Sequence, residues 1–245
     1  MNVALIGYGT MGKEIERLAA DRKITVAQIF TRENNQGGIG LTKHALHAVD
    51  VCIDFSTAMA VGSNIEMVAK YGKNIVVGTT GWHNKLEEVK KLVKTRKIGL
   101  LYSSNFSLGM NIFYQVLTSA GHLFDKSNFY DVAIHEMHHK AKADSPSGTA
   151  LTLGQIVLQH LHRKKELLHE ISHKQIKPEQ LHITSTRVGN IIGTHRVIFD
   201  SEADSIELVH TAKNRSGFAF GALLAAEWLK GKKGVYTMKD VLTSF

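Results

Sequence analysis

A chain of 245 residues with one cysteine and two prolines has few fixed points in its covalent framework. Cys52 has no partner for an internal disulfide, which fits a reducing compartment. It lies in the apolar run Asp50-Val51-Cys52-Ile53-Asp54-Phe55 and reads as a buried small hydrophobe. Proline occurs only at Pro146 and Pro178, so no proline-rich linker marks a boundary, and domains must be read from the pattern of elements. No apolar run reaches the roughly 18 residues of a membrane span. The opening Met1-Asn2-Val3-Ala4-Leu5-Ile6 has neither a basic lead nor a small-residue cleavage site, so a cytoplasmic protein is expected. The net charge of +8 permits an anionic partner, yet Lys and Arg are spread along the chain. They come with no zinc-finger spacing and no basic region with heptads, so neither nucleic acid nor membrane is expected as a partner. An acidic small molecule and a phosphorylated cofactor account for the balance equally well.

What is present begins with alternation. Strands are predicted at residues 3–6, 24–30, 49–55, 74–77 and 98–102, and helices at 13–20, 58–70 and 85–95. Strands alternating with helices of this length indicate βαβ units and a parallel sheet. After about Asn105 the pattern changes. A helix at 108–124, a strand at 129–137 and a helix at 147–162 lead into strand-like segments at 183–188, 195–200 and 205–212. Gly189-Asn190 and Glu202-Ala203-Asp204 read as the turns between those segments, which predicts antiparallel pairing, and a helix follows at 218–229. The fold class expected is α/β: an N-terminal Rossmann-like parallel sheet plus a C-terminal α+β domain with a largely antiparallel sheet.

Gly7-Tyr8-Gly9-Thr10-Met11-Gly12 follows the first strand and opens the first helix, the context that gives G-x-G-x-x-G its meaning. Gly7 permits the tight turn, Gly9 lets backbone approach a pyrophosphate, and Gly12 lets helix and strand pack closely. The helix N-terminus then offers free N–H groups to the phosphates. At the end of the second strand an acid would take ribose hydroxyls and an arginine a phosphate. The sequence there is Phe30-Thr31-Arg32-Glu33, which points to NADPH through Arg32 and leaves NADH open through Glu33.

The densest chemistry lies in Glu136-Met137-His138-His139-Lys140-Ala141-Lys142-Ala143-Asp144-Ser145-Pro146-Ser147-Gly148-Thr149-Ala150. Pro146 suits the first helical position, which makes Ser145 the expected N-cap and puts Ser147, Gly148 and Thr149 in the first turn. Unpaired N–H groups there bind a carboxylate, and a lysine just upstream reinforces that. A histidine carries a proton near neutral pH. His138 and Lys142 would face together if the stretch between them were one helical turn. His135, His138 and His139 complete no recognised ligand spacing, so no metal is expected.

At these residues the chain resembles the 4-hydroxy-tetrahydrodipicolinate reductase (dihydrodipicolinate reductase) family. The resemblance runs through the glycine loop, Ile53-Asp54-Phe55-Ser56, Gly78-Thr79-Thr80-Gly81, Ser104-Asn105-Phe106-Ser107 and the 136–150 segment. It continues through Arg187-Val188-Gly189, Ile192-Gly193-Thr194-His195 and Tyr236-Thr237-Met238-Lys239-Asp240-Val241-Leu242. It implies an NADPH- or NADH-dependent reduction, in lysine and diaminopimelate biosynthesis, of the dehydrated form of 4-hydroxy-tetrahydrodipicolinate to tetrahydrodipicolinate. By motif, His138 is the general acid with Lys142 in support, and His139, Gly148 and Thr149 bind substrate carboxylates. Gly7, Tyr8, Gly9, Thr10, Met11, Gly12, Arg32, Gly78, Thr79, Thr80, Ser103, Ser104, Asn105 and Phe106 bind the cofactor, with Arg215 and Phe218 covering it. The implied organisation is a dinucleotide-binding domain at 1–106, a substrate-binding and oligomerisation domain at 107–214, and a C-terminal helix and tail at 215–245 returning to the first domain. A homotetramer assembled through the second-domain sheets is the expected state. The chain departs from the family pattern at Thr31, where an acid is frequent, at Ser145, where alanine is usual, and in a short segment between Arg32 and Val49. Another two-domain NAD(P)-dependent dehydrogenase would explain the glycine loop but not the 136–150 segment. A non-catalytic dinucleotide-binding protein would have no need of His138 and Lys142.

Overall fold

The computed structural model describes residues 1–244. In chain order its elements are β1 (Asn2–Ile6), α1 (Thr10–Asp21), β2 (Thr25–Phe30), β3 (Val51–Asp54), α2 (Ala58–Lys70), β4 (Asn74–Val77), α3 (Leu86–Arg96) and β5 (Gly99–Tyr102). Next come α4 (Leu108–Asp125), β6 (Asp131–His138), α5 (Gly148–His160), β7 (Glu166–Leu168), β8 (Gln180–Arg187), β9 (Thr194–Asp200) and β10 (Ser205–Thr211). The chain closes with α6 (Ser216–Leu229), β11 (Gly234–Tyr236) and α7 (Met238–Leu242). It divides into two compact units, one of residues 1–108 with 215 onward, the other Gly109–Asn214. No helix among the described residues is long and apolar enough to cross a membrane.

The first unit is a Rossmann-like parallel sheet of six strands in the order β11-β5-β4-β3-β1-β2. Its strands are apolar on both faces because helices cover both. Along β1, Val3 and Leu5 pack with Ile15 and Ala19 of α1 and Leu223 and Leu229 of α6. Ala4 and Ile6 point the other way, to Ile65 and Val68 of α2 and Val93 of α3. Each buried Val, Leu or Ile among them contributes about 1.5–3 kcal/mol. Helix α3 has Glu87 and Glu88 in its first turn and Lys94 and Arg96 in its last, which complements its dipole, and it stops at left-handed Lys97 (φ 53°). The sheet reverses its order of growth between β1 and β3, so the loops after those strands meet at one edge, where ligands bind in open α/β sheets.

The second unit is a mixed five-stranded sheet, β10-β9-β6-β8-β7. β9 pairs antiparallel with β10 and β6, while β8 pairs parallel with β6 and β7. The chain therefore does not make a hairpin at Gly189-Asn190, as the short turn predicted. β6 lies between β8 and β9, and the segment 188–193 crosses its end. The hairpin at 202–204, between β9 and β10, does form. Strand β6 alternates along its length: Val132 and Ile134 face the core with Phe113, Leu117, Leu153, Val157 and Phe199, and Ala133, His135 and Met137 face away. The same inward row continues with two polar residues, Glu136 and His138.

Candidate active site

Two loops stand where a strand hands over to a helix. In the first unit Gly7 has φ +91°, and a Cβ there would lie 2.4 Å from the carbonyl oxygen of Phe55, so both backbone and packing require glycine. A Cβ on Gly12 would lie 2.4 Å from the Gly7 oxygen, so glycine is what allows α1 to sit this close to its strand. Gly9, the N-cap of α1, differs: nothing lies within 4 Å of its Cβ position, and no side chain caps the helix. The N-terminus of α1 thus has no capping side chain and open space over Gly9, a cradle that fits a diphosphate.

Around that cradle, Gly78 is held against the Phe55 ring, 2.2 Å from its own Cβ position. Thr79 donates its hydroxyl to Asp54 at 2.8 Å. Asp54 is fully buried and also accepts from the Ser56 N–H and hydroxyl and the Asn64 amide. Burial pushes its carboxyl above the usual range, against the pull of those hydrogen bonds. Ser103 donates to the Asn105 carbonyl at 2.7 Å and the Asn105 amide oxygen takes the Ser107 N–H, which folds the segment after β5 into a compact turn with Ser104 exposed. Phe106 is 2% exposed and its ring belongs to the core, 5.8 Å from that of Phe55. Its carbonyl presses on Gly221 of α6, where a Cβ would stand at 1.8 Å. At the end of β2 the Thr31 N–H is tied to the Asn34 side chain and its hydroxyl faces Glu33, while Arg32 is exposed. Tyr8 gives its hydroxyl proton to Glu16.

In the second unit the inward row of β6 ends in a buried network. Glu136 is fully buried and accepts from Arg187 Nη2 (2.8 Å), the Ser147 N–H (3.2 Å) and His138 Nδ1. Burial alone would raise its carboxyl, but hydrogen bonds from His138 and Arg187 outweigh it and hold Glu136 below the usual carboxylate range. An ionised carboxylate only accepts, so Nδ1 of His138 carries a hydrogen and Nε2 is its free nitrogen. His195 stands 5.2 Å away, ring to ring, with Nε2 on the Ser147 hydroxyl at 3.2 Å. Burial and the neighbouring His138 lower His195 to about 3, so it stays a neutral imidazole. Glu136, His138 and His195 could offer three ligand atoms within 4.8 Å of one another. The Glu136 charge is already balanced by Arg187, which makes the group a proton and hydrogen-bond network rather than a cage for a cation.

Helix α5 starts at Gly148 with Ser147 as its N-cap, extended at φ −66°, ψ 152°, its hydroxyl accepting the Ala150 N–H at 3.2 Å. This corrects the expectation of Ser145: the serine whose own N–H is pinned by Glu136 has its side chain directed into the first turn. The 139–142 stretch is a turn closed by Lys142 N–H to the His139 carbonyl (3.1 Å), not a turn of helix. Lys142 pairs with Asp144 at 2.7 Å; burial would raise that carboxyl, but Lys142 and the nearby backbone N–H groups outweigh it and hold it below the usual range. Arg187 donates to the Asp144 carbonyl at 2.5 Å, which fastens this loop to β8. A Cβ on Gly148 would meet nothing within 4 Å, so no packing inside the protein explains the glycine.

His138, Lys142, Gly148 and Thr149 are thus gathered at one strand-to-helix junction, with half-buried His139 opening the turn beside them. Glu136, Arg187, Ser147, Asp144 and His195 received no role from the sequence. The signal that could have found the first was the period-two row Val132-Ile134-Glu136-His138, which puts a carboxylate and an imidazole on the buried face.

The dihydrodipicolinate reductase family models match residues 1–106 for the N-terminus and 109–242 for the C-terminus. A 4-hydroxy-tetrahydrodipicolinate reductase of Christiangramia forsetii is 38% identical over 245 residues, covering 99% of this chain and 98% of that protein. One from Zymomonas mobilis subsp. mobilis is 36% identical over 256 residues, covering 99% and 97%. In structure, the dipicolinate-bound dihydrodipicolinate reductase of Paenisporosarcina sp. TG-14 superposes with a TM-score of 0.77 at 22% identity, over 97% of each chain, which speaks for the fold.

Proposed function

The chain belongs to the dihydrodipicolinate reductase family, and we propose that its two helix N-termini divide the family's reaction between them. The reaction is the NAD(P)H-dependent reduction of the dehydrated form of 4-hydroxy-tetrahydrodipicolinate to tetrahydrodipicolinate. The N-terminus of α1, with Gly7 to Gly12, Gly78, Thr79, Thr80 and the 103–106 turn, holds the dinucleotide, and Arg32 reaches its 2′-phosphate when NADPH is used. Bound there, the cofactor supplies a hydride to the conjugated ring. The loop after β6 and the N-terminus of α5 hold the dicarboxylate: Lys142, His139 and the first-turn N–H groups of Gly148 and Thr149 take carboxylate oxygens. His138 gives the ring its proton, and Lys142 offsets the negative charge that the hydride brings.

One observation carries this assignment. Lys142 already holds a carboxylate, that of Asp144, at 2.7 Å beside the N-terminus of α5. The Asp144 side chain is 56% exposed, so substrate can replace it without opening the core. We place the contact of a homotetramer on the face of the second sheet opposite α4 and α5, which carries Met137, Ile198 and exposed Val209 beside the Arg196–Glu207 pair. A cytoplasmic address belongs to the same reading and agrees with the lone thiol of Cys52, which burial pushes up to about 12.

The test is oxidation of NADPH, and of NADH in parallel, followed by loss of nicotinamide absorbance. Substrate is made fresh by condensing pyruvate with aspartate semialdehyde. Oxidation that requires the substrate is the expected result. A folded protein that binds NADPH yet oxidises neither cofactor would overturn the reading.

A further inference from the structure

Glu136 is as deeply buried as any residue of the core and ionised, and its partners are all accounted for: Arg187, the Ser147 N–H and His138. A buried carboxylate is costly unless each acceptor site is used, and one whose stabilising partners include a histidine two residues on fixes that imidazole's orientation and tautomer. The other nitrogen of His138 has an equally specific neighbour. A Cβ at Gly193 would stand 2.9 Å from Nε2 and 3.3 Å from Cδ2, closer than carbon and ring atoms rest against each other. Gly193 has no left-handed φ, so its backbone would accept alanine, and the space over Nε2 is what glycine preserves.

We propose that Glu136 is the positioning residue of this site, committing Nδ1 of His138 to the protein and Nε2 to the substrate, and that Gly193 keeps Nε2 uncovered. The inference rests on His138 as the proton donor. In the step itself the Nε2–H bond of the imidazolium breaks, its electron pair stays on Nε2, and the proton forms the new C–H bond of the ring. The electrons for reduction come from the nicotinamide. Neutral His138 keeps its Nδ1–H on Glu136, and solvent returns the proton to Nε2. His195, neutral and ring-packed beside His138, supplies a wall that adds no competing charge.

A double-mutant cycle separates positioning from mere support of the fold. Glu136→Gln should lower kcat roughly 10²-fold with the KM for NADPH unchanged. In a His138→Gln background the same substitution should cost less than about twofold, because the group it acts through is gone. Losses that multiply equally in both backgrounds would reduce Glu136 to a structural residue. A His138→Gln enzyme as active as the wild type would remove the underlying reading of the site, and Glu136's role with it; the two failures are told apart by the single mutant alone. Should Glu136→Gln fail to fold, two measurements leave the carboxylate in place. The ¹⁵N spectrum of neutral wild-type His138 should show hydrogen on Nδ1, and an Nε2–H tautomer would overturn the proposal. Gly193→Ala, assayed well below its own melting temperature, should lose kcat with NADPH affinity unchanged, and full activity would show that Nε2 is not the reacting atom.

Discussion

Helix α1 begins after Gly9 and helix α5 after Ser147, each following a strand, and each exposes a glycine whose Cβ direction opens into empty space. Their surroundings differ. The loop from Gly7 to Gly12 carries no charged side chain, whereas the loop from His138 to Asp144 carries two histidines, two lysines and a carboxylate. A diphosphate needs many N–H groups and a close backbone, which uncharged glycines provide. A small dicarboxylate that must also receive a proton needs charge, a titrating group and a fixed orientation. One helix end binds, and the other binds and reacts.

The sharpest way to break that division is His138→Gln. Turnover should fall roughly 10²–10⁴-fold while NADPH affinity stays at the wild-type value. A matching loss of NADPH binding would mean that the two ends are not separate in function. Lys142→Ala comes next, with KM for substrate raised and kcat lowered about tenfold each, since it removes both a carboxylate partner and a positive charge; a variant equal to wild type in both would make Lys142 a bystander.

The two units should also answer acid with opposite sign. His195 is held at about 3 in the fold against an unfolded value near 6.5, so its share of stability is complete above pH 6.5 and is lost as pH falls toward 3. The slope is roughly 1.4 kcal/mol per pH unit. Glu136, held below its ordinary range, adds to the loss as pH drops through the usual carboxylate values. Asp54 in the first unit is raised, so its proton is favoured in the fold and acidification relieves a cost there. Hydrogen exchange corrected for intrinsic rates should therefore show protection falling in residues 109–214 between pH 6.5 and 4.5, with residues 1–108 holding or gaining protection. The reverse order would contradict the charge assignments. The smallest effect is at Asp144→Asn, which frees Lys142 and should tighten dipicolinate, as a carboxylate probe, by about 3- to 5-fold. Weaker binding would show that Asp144 helps the ligand rather than stands in for it.

The first unit was readable in sequence because its signals are local. Gly7, Gly9 and Gly12 follow an apolar strand, and each βα repeat carries its own period. The second unit depends on who pairs with whom. The turn at Gly189-Asn190 looks like a hairpin because nothing local reveals that β6, some fifty residues earlier, lies between β8 and β9. β7 and β11 are three residues long, too short for alternation to register. Ser145 and Ser147 both suit an N-cap, and the choice is made by Glu136 holding the Ser147 N–H, a contact between distant parts of the loop. Phe106 appeared beside cofactor residues in its motif, yet its ring fills the core. His138 was legible as chemistry, but the carboxylate and glycine on either side of its ring were visible only in three dimensions.

The division of labour is tested most directly by titrating NADPH into Gly9→Val and Gly148→Val and measuring the substrate KM of the second. Both side chains would enter open space, so melting temperatures should stay within about 2 °C of the parent. Gly9→Val should weaken NADPH at least tenfold. Gly148→Val should bind NADPH as the parent does and raise the substrate KM at least tenfold. NADPH binding left intact in the first variant, or lost in the second, would contradict the assignment of one helix end to each ligand.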